Sequence, residues 1–236
     1  IPFQTLTNST TSPLTITITA NATINGCVGP NSNYTIQVYP TPALVVTPSI
    51  DTICSGTNIL AQLTSNILNT TYQWIVIPNV NITGATNGSG ATINQLILNS
   101  SMQLQNFSYL ITPVAPGPNG GGCPGTNATL NVWVNPVALV TFSLPNQTIC
   151  SGTASQQVNI SSATNGAIIT WTSSIPAGIS GAAASGGATI PLQNLVNNTN
   201  APITIIYSVS VSTNSGNCAG TLATYSITVN PIPVLS

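Results

Sequence analysis

The hexapeptide Thr52-Ile53-Cys54-Ser55-Gly56-Thr57 returns as Thr148-Ile149-Cys150-Ser151-Gly152-Thr153, a shift of 96 residues. Self-similarity at a fixed spacing marks a chain built from one structural unit used repeatedly, so the fold is limited to what a unit of that length can make. Other landmarks keep the spacing: Trp74 and Trp171 are 97 apart, Cys123 and Cys218 are 95 apart, and Pro136 and Pro231 are 95 apart. The period also extends backward, because Gly26-Cys27 and the segment 34–40 match Gly122-Cys123 and the segment ending at Pro136. Residues 1–42 therefore read as the C-terminal half of a unit, residues 43–136 as one complete unit and residues 137–236 as a second. The joints fall at Pro40-Thr41-Pro42, Pro136 and Pro231-Ile232-Pro233, where proline stiffens the connection.

Within each unit the period is two. The closing segments carry Tyr34, Ile36, Val38, then Leu130, Val132, Val134, then Tyr225, Ile227, Val229, with polar or exposed residues between them, which is the pattern of a half-buried strand. Further strands are expected over 14–19, 58–64, 72–77, 92–98, 107–112, 157–161, 167–172 and 203–211, with Gly, Asn, Pro and Ser clusters between them. Six or seven short strands in about 96 residues predict an all-β chain of tandem immunoglobulin-like β-sandwich modules. No helical period occurs.

Composition then removes most chemistry. The chain has no Lys, Arg or His and a single acidic residue, Asp51. General acid-base catalysis needs a side chain that exchanges a proton near neutral pH, and a Ser or Thr nucleophile needs an adjacent base. Neither is provided, so no catalytic residue is assigned. Without cations the chain has no purchase on phosphate backbones or anionic lipid, which excludes nucleic acid as a partner. Calcium and zinc sites need converging carboxylates or Cys and His clusters, so no metal and no cofactor are expected. The longest uninterrupted apolar runs are four residues, 74–77 and 137–140, far short of the roughly 20 of a spanning helix, so no membrane insertion is expected. Ile1 begins in mid-pattern with no basic n-region, and the chain reads as a mature fragment.

Five Cys in such a chain read as disulfides of an extracellular setting. The repeat phase predicts two bonds inside modules, Cys54 with Cys123 and Cys150 with Cys218, each closing a loop worth roughly 4 kcal/mol. Cys27 is then left for a partner outside residues 1–236. Trp74 and Trp171 sit inside strands and are expected in the core. Trp133 alternates away from Val132 and Val134, and reads either as a contact between modules or chains or as a stacking platform for a neutral glycan. Asp51 reads as a turn residue capping a nearby amide, with Gln147 in its place in the next unit. Of 28 Asn, twelve head Asn-Xaa-Ser/Thr triplets, including Asn8, Asn99 and Asn197. Roughly seven would arise by chance in this composition, so the excess assigns no glycan.

The run Thr-Ile-Cys-Ser-Gly-Thr, the strand Tyr72-Gln73-Trp74 or Ile169-Thr170-Trp171, the stretch 84–93, Gly122-Cys123 and the closing Val134-Asn135-Pro136 together resemble the PKD-like repeats of Bacteroidetes surface proteins. The resemblance covers nearly the whole chain. It implies secretion by the type IX system, a place at the cell surface, and a non-catalytic structural role in an extracellular filament or adhesin stalk, as in gliding-motility adhesins. The partners it implies are neighbouring repeats, further copies assembling into filaments, and surface glycans. It departs from ordinary PKD domains in lacking Trp-Asp-Phe-Gly-Asp-Gly after the core strand. It also makes Asp51-Thr52-Ile53 a match to the O-glycosylation sequence of these bacteria, with Thr52 as the acceptor.

Overall fold

The computed structural model describes residues 3–213 and 217–233; the outermost residues of the first and last expected units, 1–2 and 234–236, lie outside the described residues. Two β-sandwiches follow one another, preceded by a hairpin. Among the described residues the only helical element is a 3-10 turn, Pro118–Gly120.

In the first complete module one sheet is ordered Leu44–Thr47, Thr57–Ser65, Thr92–Asn99, Ile82–Thr83. The facing sheet is ordered Gly88–Ser89, Thr71–Ile77, Gln105–Pro116, Ala128–Asn135, Ile50–Cys54, with Gly122–Pro124 folded onto the end of the long strand Gln105–Pro116. The alternating residues of both sheets meet in one core that includes Ile59, Trp74, Ile93, Tyr109, Leu130 and Val132. The second module repeats the plan, with the sheet Gln147–Cys150, Ala223–Asn230, Ile203–Thr213, Ala167–Ser174, Ser185–Gly186 over a core that includes Val158, Trp171, Leu195, Tyr207 and Ile227. The expected strands appear with ends moved by a few residues, most at the long strand expected over 107–112, which runs Gln105–Pro116. Trp74 and Trp171 are both buried.

The opening of each module was not read as strand, and it is divided between the two sheets. Leu44–Thr47 pairs antiparallel with Thr57–Ser65, and then Ile50–Cys54 pairs parallel with Ala128–Asn135. Pro48 stands at the crossing and Pro145 stands at the same place before Gln147–Cys150. A proline cannot donate to a ladder, so the chain leaves one sheet there and joins the other.

Residues 3–38 contribute strands Leu14–Ala20 and Ser32–Val38, which pair with each other. Ile16 and Tyr34 occupy the register places of Phe107 and Leu130, yet they are 39% and 62% exposed where those are buried. The hairpin thus presents the inner face of a sandwich without the opposing sheet.

Candidate functional site: the joint between modules

At the end of each closing strand sits an asparagine latch. Asn99 Nδ2 donates to Val134 O and Gln103 O, both at 2.8 Å, while its Oδ1 accepts from Ser101 N at 2.9 Å and Ser101 Oγ at 2.8 Å. Asn197 does the same with Val229 O, Ala201 O and Thr199. Asn8 does the same with Val38 O, Ser12 O and Thr10. The hydroxyl two residues on is part of the latch, and this is what writes Asn-Xaa-Ser/Thr into the sequence at three of the twelve triplets. Burying an amide is tolerated only when its donors and acceptors are satisfied, and here all are.

Each latch closes the module end against which the next module is set. In the joint after Pro136, Gln103 Nε2 donates to Ala163 O of the next module at 3.1 Å, and Thr221 N donates to Ala138 O of the linker at 2.9 Å. The hairpin backbone at Gly220 lies so close to Ala138 O that a Cβ there would collide with it, and Gly125 stands in the same relation to Pro42 O. A cleft of about 250 Å³ is lined by Gln103, Leu104, Asn135, Pro136, Thr164, Asn165 and Thr213. The joint after Pro40 has a cleft of about 310 Å³ lined by residues at the corresponding places, among them Ser12, Pro13, Tyr39, Pro40, Ile67 and Leu68. The same joint is therefore built twice. Its leading half recurs a third time at Asn200, Pro231, Ile232 and Pro233. Among the described residues three buried polar side-chain atoms have no hydrogen-bond partner, Asn135 Nδ2, Thr164 Oγ1 and Thr213 Oγ1, and their residues all line the joint after Pro136.

The joint is also covalent. Cys54 of the first module is bonded to Cys218 of the second, with Cα atoms 5.4 Å apart and a sequence separation of 164. This corrects the pairing expected from the repeat phase: neither Cys54–Cys123 nor Cys150–Cys218 forms, and Cys123, Cys150 and Cys27 carry free thiols. The reason lies in where the strands end. Cys54 is level with Asn135, while Cys123 is paired with Ala115 at the far end of the same sheet. At about 3.3 Å per residue the two lie roughly 35 Å apart, against the 4.4–6.8 Å between Cα atoms that a disulfide requires. Cys150, level with Asn230, and Cys218, paired with Thr213, are separated in the same way. The far end of one module is, however, the near end of the next. In the chain-entropy account so long a loop contributes about 5 kcal/mol.

The other expected site residues fall on the outer face of the first module. Trp133 is 39% exposed, between buried Val132 and Val134, and its register partners are Thr52 on one side and Asn106 on the other. Thr52 is exposed, and its backbone N–H donates to Asp51 Oδ1 at 2.9 Å. Gln147 does more than Asp51: it accepts from Gln156 N at 2.7 Å and donates to Tyr225 OH at 2.9 Å, tying the opening strand to the core.

Tyr109 and Tyr207 pack at the centre of the two cores with their hydroxyls on Gln95 and Gln193. Burial pushes both phenols above their usual range; for Tyr207 the hydrogen bond to Gln193 offsets part of that rise and the neighbouring Tyr225 adds to it. No group of three or more His, Cys, Asp or Glu among the described residues is placed to hold a metal, and no helix among them is long and apolar enough to cross a membrane.

The molecule is thus a tandem array of β-sandwiches whose recurrent, organised feature is the junction between modules, covalent at the joint after Pro136. The chain belongs to the PKD-like domain family, which matches residues 51–138 and 147–233. No curated protein matches the sequence. Solved structures similar to it include human CDH23 EC21-23, at 16% identity and a TM-score of 0.39, covering 85% of this chain and 68% of that one. Protocadherin Gamma B2 extracellular cadherin domains 3-6 match at 14% identity and a TM-score of 0.38, covering 93% of this chain and 60% of that one. The Clostridium thermocellum CbhA fibronectin(III)-like modules match at 12% identity and 0.29, covering 80% and 95%.

The residues that build the joint were mostly not read from the sequence as functional. Asn99 and Asn197, Gln95 and Gln193, and Gly88 and Gly186 each recur at 98 residues, so the repeat signal was there to find them.

Proposed function

We propose that this chain is a load-bearing segment of a large extracellular surface filament or adhesin stalk at the cell surface, and that it is non-catalytic. The observation that carries the reading is the bond between Cys54 and Cys218, which ties the end of one sandwich to the start of the next. Tension applied along the chain enters at residue 54 and leaves at residue 218 through that bond, so the segment between them is shielded from extension. PKD-like domains are typically extracellular and non-enzymatic, which fits the composition. The absence of charge removes the repulsion that keeps ordinary proteins apart and favours self-association into filaments. Secretion by the type IX route and an O-glycan on Thr52 belong to the same proposal.

Pulling the oxidised chain from its two ends tests this. The segment from Cys54 to Cys218 should not lengthen, and a reductant should release about 550 Å of additional extension, at roughly 3.4 Å per residue over a sequence separation of 164. Equal extensions with and without reductant would contradict a load-bearing bond.

A second reading, an adhesive module for neutral glycans, is favoured by one feature: the exposed Trp133 beside Thr52 and Asn106. A glycan array comparing the chain with Trp133→Ala separates the two, since only the adhesive reading loses signal.

A further inference from the structure

The five cysteines occupy two kinds of place. Cys54 and Cys150 end the opening strand, level with Asn135 and Asn230 of their closing strands. Cys27, Cys123 and Cys218 lie in the hairpin before the closing strand, opposite Ile24, Ala115 and Thr213. The bond that exists joins one of each kind, always across a joint, and its geometry excludes a bond within a module.

Two of the unbonded cysteines, Cys150 and Cys123, stand at joints of the same make. Cys150 is exposed at the module end where Asn200 and Pro231 repeat the leading half of the joint. Cys123 follows the Pro116 that lines the joint after Pro40, with Gly125 against Pro42 O as Gly220 is against Ala138 O.

We propose that Cys150 is the attachment point for the hairpin cysteine of a further PKD-like module set end-on at Pro231, and that Cys123 and Cys27 are the corresponding acceptors for strand-end cysteines of preceding modules. Each bond forms from two thiols with loss of two protons and two electrons, which pass by thiol–disulfide exchange to the disulfide of an oxidised dithiol. The bonds overlap, because a hairpin cysteine and the next strand-end cysteine flank each closing strand, as Cys123 and Cys150 flank Ala128–Asn135. The array is then a covalent ladder in which every module is held by both neighbours. This rests on the stalk reading for its purpose but not for its chemistry.

The test is the chain through Pro231 joined directly to a second copy of residues 137–236, so that Pro231 is followed by Val137 as Pro136 is, oxidised with glutathione disulfide, alkylated and mapped without reduction. Cys150 of the first copy should be bonded to Cys218 of the added copy, with Cys54–Cys218 kept and Cys27, Cys123 and the added Cys150 alkylated. Changing the added Cys218→Ser should leave the first Cys150 alkylated. An extension of Pro231 with residues 41–136, which keeps the Pro42 that meets Gly125, is a second trial should the first added module not fold, and there Cys150 should bond the added Cys123. Cys150 alkylated in both extensions, or bonded to Cys218 of its own module, would overturn the ladder. Neither result touches the shielding measured by pulling, so the two readings fail separately.

Discussion

Gly186 lies against the indole of Trp171 so closely that a Cβ on it would come 2.5 Å from Cζ2, and Gly88 stands in the same relation to Trp74 at 2.6 Å. The indole N–H on the same edge donates to a backbone carbonyl, Thr189 O in one module and Thr86 O in the other, which holds that edge in place. Moving the ring away from the glycine would strain or break that hydrogen bond. Gly186→Ala and Gly88→Ala should each destabilise their module by about 1–3 kcal/mol, the usual cost of overpacking. Chemical denaturation measures this, and an unchanged midpoint would show that the ring has room.

Asn197→Ala removes two donors to backbone carbonyls and the acceptor for Thr199 at a buried place, with a cost of about 2–4 kcal/mol. The same engagement makes Asn99 and Asn197 poor glycan acceptors despite their triplets. Protein from an N-glycosylating host should give unmodified peptide masses at both positions.

Thr213 Oγ1 is buried without a partner beside the joint cleft. Thr213→Val keeps the shape and removes the polar atom, so it should leave stability unchanged or raise it by up to about 1 kcal/mol. A loss of stability would mean that the hydroxyl is bonded in solution.

Tyr72, Tyr109, Tyr207 and Tyr225 all have their pKa raised, with burial the first cause in each. A raised acid holds its proton in the folded state after the unfolded chain has released it. The contribution to stability is therefore complete below the unfolded value of about 10 and is lost as pH climbs through the folded values. Stability should fall above about pH 10, and Tyr109→Phe should reduce the slope. Denaturation midpoints from pH 8 to 11.5 measure both.

The sequence by itself determined the module plan. Local alternation places Leu130, Val132 and Val134 inside and Trp133 outside, and a period near 96 sets the units, because both depend only on spacing along the chain. Composition also showed that the chain has no Lys, Arg or His and a single carboxylate, and so lacks most of the groups that exchange protons near neutral pH. What only tertiary structure decided was which ends meet. Cys54 and Cys123 share a module and a phase, but the opening strand runs parallel to the closing one and ends at Asn135, a full sheet length from the hairpin. The strand at Ile50–Cys54 was itself hidden, since Pro48 divides it from Leu44–Thr47 and each piece is too short to show a period. Whether two cysteines bond depends on a few ångströms between Cα atoms, and that distance is set by sheet topology and by how one sandwich is seated on the next.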